Sequence, residues 1–323
     1  MSVIGTRDYF IENLGIVHNL FLPFFDKSVR ILFVKKEISI MVKIISDSTC
    51  DLSQELLEKY DVEIVPLHIL LGDEEYEDGK SITPDEIYRW SDEHGATPKT
   101  SAAGIDQMIE VYRPHIEKGE ELVVFSISAD MSTTYNVMRM AAVELEAEDK
   151  IFIIDSANLS TGVGLQVIEA AIMAQQDKSA EEIVAHIQDL RPRVRASFVV
   201  DTLTYLHRGG RCSGVAALAG GMLKLHPKIV VENGKMKPEE KFRGKMSKVV
   251  MDYVKSMEED LKKAEKSRVF ITHSGSDVEI IDAVHKYLED LNIFDEILVT
   301  RAGCVISSHC GPGTLGVLFI EGK

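Results

Sequence analysis

Small hydroxyl and acidic residues gather in four short segments that each follow or approach an apolar run. They are Asp47-Ser48-Thr49-Cys50-Asp51, Thr100-Ser101, the stretch 126–135 (Ser-Ile-Ser-Ala-Asp-Met-Ser-Thr-Thr-Tyr) and Asp155-Ser156. In an open α/β sheet, ligands collect in the crevice beyond the carboxyl ends of the strands, so these are places for polar recognition. Ser132-Thr133-Thr134 directly precedes a helical pattern. Hydroxyl donors beside the amides and positive pole of a helix suit an anion. The same residue types also cap helices and form turns with no ligand present. A fifth segment, His309-Cys310-Gly311-Pro312-Gly313-Thr314, reads as a tight loop that lets backbone and His309 approach a ligand closely. A histidine there could donate to a carboxylate or phosphate, act as a base, or bind a metal. Cys304 and Cys310 beside it raise the question of zinc, but they lack the second close pair that a zinc site needs.

Other constellations are missing from the sequence. It has no GxxxxGK[ST] phosphate loop, no GxSxG elbow and no HExxH pair, and Gly162-Val163-Gly164 lacks the third glycine of a dinucleotide fingerprint.

The elements that must position these residues follow from periodicity. From Met41 onward, short β-rich runs alternate with helical patterns. Extended runs are read at 42–46, 63–67, 122–126, 151–154, 196–200, 229–231, 268–272, 296–300 and 316–319. Helices are read at 53–60, 84–94, 105–118, 134–146, 162–176, 180–191, 245–264 and 278–291. Ser53, Ser179 and Thr83-Pro84-Asp85-Glu86 supply helix starts: a capping hydroxyl, then proline or acids in the first turn. Alternating βα units imply a mostly parallel sheet covered on both faces, and Val-Lys-Ile-Ile and Leu-Val-Val-Phe are the apolar runs such a sheet requires. After Arg195 the pattern loosens into glycine-rich turns at Gly209-Gly210 and Gly220-Gly221 and a turn at Asn233-Gly234. The fold class expected is α/β in two domains: residues 41–160 around a mostly parallel sheet, and residues 161–323 as a smaller mixed α/β domain.

Residues 1–40 read differently. The uncharged run 13–25 is broken by His18, Asn19 and Pro23, and Asp8 and Glu12 spoil a basic leader. A clean strand begins at Met41, which is the expected working start, with residues 1–40 an extension outside the folded unit.

Composition bounds the function. The 323 residues carry a net charge of −16, a surface that repels phosphate backbones and excludes general nucleic-acid binding. Four cysteines without a CxxC pair point to a reducing, cytoplasmic setting, and no run of apolar residues is long enough to span a membrane. Residues 202–248 run against the trend, with ten basic residues and three acids; they form either a solvated face paired within the fold or a docking face for an acidic partner or anionic membrane surface.

Taken in order, these segments resemble the DegV family of fatty-acid-binding proteins, whose members include lipid-binding subunits of bacterial fatty acid kinase. The resemblance rests on Ile44-Ile-Ser-Asp-Ser-Thr49, Thr100-Ser101, Ser132-Thr-Thr-Tyr135, Asp155-Ser156, Asp201-Thr-Leu-Thr-Tyr-Leu-His-Arg-Gly-Gly-Arg211 and His309-Cys-Gly-Pro-Gly313. It implies a two-domain protein that buries one long-chain fatty acid between the domains and needs no cofactor. It also implies that Thr100, Ser101, Ser132 and His309 hold the carboxylate, and that a separate kinase converts it to an acyl phosphate. Arg208 and Arg211 would project from a glycine loop toward that partner. The sequence departs from the family at Thr133, where glycine is usual, and at Ala102-Ala103, where Gln-Pro is usual. Five methionines, Met108, Met131, Met138, Met140 and Met222, offer an adaptable apolar lining. The competing readings are an esterase using Ser132 or Ser101 with His309 as base, and a sensor of a non-lipid ligand.

Overall fold

A computed structural model describes residues 41–212 and 225–323; residues 1–40, the Gly220-Gly221 turn and Met222 lie outside the described residues. Met41–Lys323 form one compact unit.

Four parallel strands, β1 (Val42–Asp47), β2 (Val62–Val65), β6 (Glu121–Ser126) and β7 (Ile151–Asp155), make the first sheet in the order β2-β1-β6-β7. Both faces are covered, which is why these strands read as continuous apolar runs. Successive side chains point to opposite faces. Ile44, Val123 and Phe125 join one core layer; Ile45, Leu122 and Val124 join another, under helices α2 (Pro84–His94), α3 (Ile105–Lys118) and α4 (Thr134–Glu144).

The second sheet has six strands: β8 (Val194–Val199), β9 (Leu225–Glu232), β10 (Lys235–Arg243), β11 (Ala264–His273), β12 (Glu296–Arg301) and β13 (Leu315–Glu321). Their order is β10-β9-β8-β13-β11-β12, antiparallel throughout except for the β11–β12 pair. The region expected to be the smaller one thus carries the larger sheet. The charged strand β10 was hidden from a periodicity reading by its edge position, where lysines and a proline at a bulge are favoured.

Helix α5 (Thr161–Gln175) lies between the two sheets, and ten of its fifteen residues are buried. A helix apolar on all sides must sit in such an interior position. Its Gly162 and Gly164 serve close packing: a β-carbon at Gly164 would sit 2.7 Å from the Cys50 carbonyl oxygen, and one at Gly162 would overlap the Asn158 amide.

Most helices match the sequence reading, α1 (Gln54–Lys59) among them. Three differences have local causes. The run read as 63–67 stops at Val65, because Pro66 lacks an N–H and the chain crosses there to β3 (His68–Leu71) of a small antiparallel sheet with β4 (Glu74–Glu77) and β5 (Lys99–Ser101). The helix read over 245–264 ends early: α8 (Met246–Ser256) and the single turn α9 (Glu258–Leu261) give way to β11 at Ala264. Polar Glu265, Lys266 and Ser267 disguised that strand, whose pairing with β13 is irregular between Ala264 and Val269. Finally, residues 205–209 and 309–310, read as loop, lie in short helices, α7 (Thr204–Gly209) and α11 (Cys304–Cys310), while residues 311–314 form the expected turn with positive φ at Gly311 and Gly313. Helix α6 (Ala180–Leu190) and helix α10 (Val278–Leu291) keep the expected positions.

Among the described residues no helix is long and apolar enough to cross a membrane.

Candidate functional site

A cavity of about 380 Å³ lies where the loop after β6, helix α11 and strands β8, β10 and β13 meet. Its apolar wall includes Ile127, Met131, Leu159, Phe198, Leu206 and Met236, which form a small core cluster of their own. Thr100, Ser101, Ser132 and His309 all line the same space, although they come from three distant parts of the chain. Arg211 borders it as well and is exposed, so it stands at the rim.

Each polar side chain has an identifiable support. Thr100 and Ser101 were expected in a loop; they sit on β5, an edge strand held by β3 through the pairs Ile69–Thr100 and His68–Ser101. The loop carrying Ser132 is braced from both sides. Asp47 at the end of β1 accepts the Ile127 amide at 2.7 Å, and Asp155 at the end of β7 accepts the Ala129 amide at 3.0 Å. Two of the polar segments singled out in the sequence therefore position the third. Ser132 Oγ accepts the Thr134 amide at the start of α4 and lies 2.8 Å from Thr134 Oγ1. Thr133 adopts φ −80° and ψ −2°, which any residue can take, so the glycine usual in the family is not required for this backbone.

His309 was expected in a loop and instead occupies the last turn of α11. Its Nε2 lies 2.8 Å from Thr100 Oγ1, a bond between residues 209 positions apart. Its Nδ1 is buried without a hydrogen-bond partner. The cover is Gly209, where a β-carbon would sit 2.5 Å from Nδ1. Burial, with a smaller contribution from the Arg211 charge, pushes the imidazole down to about 4. The ring is neutral at physiological pH.

The other end of α11 holds groups that sequence reasoning largely missed. Asp51 accepts the Gly303 amide at 2.8 Å and the Ser160 hydroxyl at 2.5 Å. Asp78 accepts the Cys304 amide at 2.7 Å, the Val305 amide at 3.4 Å and the Ser48 hydroxyl at 2.8 Å. Both carboxyls are buried, and desolvation raises both; Asp51 reaches about 8 and nearby Asp47 about 6. Ser160, a further cavity residue, has φ 53° and ψ −144°, a strained conformation held in place by its bond to Asp51. No local motif marks Asp78; its role comes from the turn after β4 folding onto α11.

Other candidates stand apart. Arg208 is exposed, and its guanidinium donates to the Gly95 carbonyl at 3.2 Å. Cys304 and Cys310 donate to the Ile82 and Ile306 carbonyls, and burial pushes both thiols well above the usual thiol range. Among the described residues no group of three or more His, Cys, Asp or Glu is placed to hold a metal. Of the methionines named, Met131 lines the cavity, Met108 and Met138 belong to the core under the first sheet, and Met140 is exposed. Met236 was not anticipated and lines the cavity.

Comparison with known proteins places this geometry in a family. A DegV domain-containing protein of Clostridium perfringens is 32% identical over 280 residues, spanning 87% of this chain and 98% of its own length. A structure described as fatty acid binding of a DegV family protein from Thermus thermophilus is 30% identical, covers 87% of this chain and 100% of its own, and superposes with a TM-score of 0.81. A stearic acid-binding protein from Eubacterium ventriosum is 31% identical, covers 87% of this chain and 98% of its own, and gives a TM-score of 0.76. The sequence profile described as uncharacterised protein, DegV family, matches residues 41–322, and the chain accordingly belongs to the DegV family.

Proposed function

We propose that this protein binds a long-chain fatty acid in the cavity, with the carboxylate at Thr100, Ser101, Ser132 and His309, and presents it to a separate fatty acid kinase. The observation that carries this reading is the convergence of all four residues on one space that also has an apolar wall of Ile127, Met131, Leu159, Phe198, Leu206 and Met236. About 14 buried methylenes at ~0.8 kcal/mol each supply roughly 11 kcal/mol of gross transfer energy, and association costs still leave room for micromolar or tighter binding. A lone carboxylate buried without donors is prohibitive, and neutral hydroxyls meet that need. The relatives from Thermus thermophilus and Eubacterium ventriosum are described as fatty-acid-binding, which favours the same ligand class here.

The local geometry assigns a role to the histidine. An unpaired N–H at Nδ1 would leave a buried donor without an acceptor, so the proton belongs on Nε2. Nε2–H then donates to Thr100 Oγ1, which frees the Thr100 hydroxyl to donate to the ligand. This geometry favours a carrier over an esterase: Nε2 is engaged by Thr100 rather than by Ser101 or Ser132, and Nδ1 has no carboxylate behind it.

A division into lobes 41–160 and 161–323, each built on one of the large sheets, fits a ligand held between them, because the lining residues come from both. Arg208 and Arg211 are the proposed partner-facing pair, both exposed, with Arg211 bordering the cavity and Arg208 next in sequence to the Gly209 that covers His309. The kinase partnership and a transient contact with a membrane surface during loading belong to the same reading. Solvent extraction of purified protein followed by mass spectrometry tests it: a stoichiometric long-chain fatty acid is expected, and a different small molecule in that amount would overturn it.

A further inference from the structure

We propose that Asp51 and Asp78 are positioning residues for the head-group site: they fix the N-terminal end of α11 and thereby set where His309 meets Thr100. The proposal rests on the fatty-acid reading above and adds to it a pair of residues outside the cavity's polar cluster.

Helix α11 supplies no cap of its own. Its N-cap is Gly303, which has no side chain to accept the first amides. Helix termini leave such N–H groups without intrahelical partners, and burying them unpaired is costly. Here the amides of Gly303, Cys304 and Val305 are all accepted by the two carboxyls, which reach the helix from the turns after β1 and β4. Glycine at 303 is what allows both to converge: a β-carbon there would sit 3.2 Å from each Asp78 oxygen and 3.3 Å from Asp51 Oδ1. The carboxyls are themselves fixed from the far side by Ser160 and Ser48. The result is a clamp joining four separate segments at one helix end.

His309 lies in the final turn of the same helix. Seven residues at about 1.5 Å each make a rod roughly 10 Å long, too short to absorb a displacement by bending. A shift at Gly303 is therefore carried to the imidazole. Its bond to Thr100 has little tolerance, since hydrogen bonds weaken steeply beyond their normal length and angle.

The test uses the full chain, cis-parinaric acid as a fluorescent fatty-acid probe, and NMR of ¹⁵N-labelled histidine rings with the His309 signal assigned from His309→Ala. Asp78→Ala should weaken probe binding by about tenfold or more and move the His309 ring resonances in ligand-free protein. In a His309→Ala background the same substitution should cost little further affinity, because the route through the histidine has been removed. Asp78→Asn keeps one oxygen for the Cys304 amide and should give a smaller loss of the same kind, as should Asp51→Asn. An Asp78→Ala loss that is equal with and without His309, or unmoved His309 resonances, would overturn the proposal. Should Asp78→Ala fail to fold, Asp78→Asn undergoes both comparisons under the same criteria. A wild type that does not bind the probe sinks the fatty-acid reading alone. The ring resonances of the ligand-free variants still decide the positioning role.

Discussion

The two ends of α11 solve opposite problems with the same physical means. At its start, two acids lie among backbone amides and hydroxyls, and burial raises their carboxyls, Asp51 to about 8. At its finish, a base lies against a glycine backbone, and burial lowers His309 to about 4. Desolvation penalises the charged form of either kind of group, so Asp51 and His309 both favour neutrality at pH 7 although one is an acid and the other a base. A bound carboxylate would therefore be met chiefly by neutral donors, with the Arg211 charge at the rim acting on the imidazole. Hydroxyl donors of that kind suit a ligand that must later be released or handed on.

The largest expected effect comes from breaking the finish of the helix. His309→Ala or Thr100→Val should weaken fatty-acid binding by about 1–3 kcal/mol, measured by probe displacement, because Thr100→Val removes a hydroxyl donor to the head group and His309→Ala removes the N–H that orients that hydroxyl. Ser132→Ala should do the same. Unchanged affinity in all three variants would place the carboxylate elsewhere.

The opposed titrations sharpen the comparison. Asp51 has a folded-state value of about 8 against an ordinary 3.8, so the folded chain holds a proton that the unfolded chain has lost. Its contribution to stability is full below about pH 4 and is lost as pH rises through about 8. Asp78 acts in the same direction, as does Asp47 up to about pH 6, so Asp51→Asn should reduce the decline between about pH 4 and pH 8 without abolishing it. The groups facing this carboxyl are Asp47 and Asp78 and the thiols Cys50, Cys304 and Cys310, with no cation among the causes of its shift. His309 has the opposite sign. The unfolded chain takes up its proton near 6.5 and the folded chain only near 4, so stability falls as pH drops across that interval. His309→Ala should remove this acid-side loss. Denaturant midpoints measured from pH 4 to pH 8 check both arms, and identical profiles for wild type and the two variants would refute the contrast.

Smaller effects are expected at the rim. Arg211→Ala should leave fatty-acid affinity within about threefold of wild type while lowering acyl phosphate formation with the kinase, and salt should weaken the wild-type pairing over a screening length of ~8 Å. Loss of fatty acid with coupling retained would make Arg211 a pocket residue only. The smallest effect belongs to residues 1–40: a chain starting at Met41 should bind the probe as the longer one does. Loss of binding would show that the extension contributes.

Much of the fold was legible because its signals are local. The bounds of α2, α3 and α10 follow from proline, acids and apolar spacing within a dozen or so residues, and β1 and β6 from short apolar runs. Strands β4, β5 and β10 were not legible, since short or charged edge strands look like polar loops until a neighbour pairs with them. The site divides in the same way. The hydroxyl residues, His309 and the rim arginine could be named from residue type and family resemblance. Asp78 could not, because nothing around Glu77-Asp78-Gly79 indicates that a helix starting at Gly303 would require its oxygens.

By itself the sequence determined an α/β chain with polar residues at strand ends, a basic stretch in an acidic protein and a histidine flanked by small residues. Those properties are carried by side-chain type and by periods of two and 3.6 residues, which are short-range. Only the tertiary structure decided that Thr100 meets His309 across 209 positions, that Gly209 closes over the ring, and that Asp51 and Asp78 cap a helix 252 and 226 residues away. Such pairings depend on the order in which strands assemble into sheets and on the burial that this imposes, and burial sets both geometry and protonation.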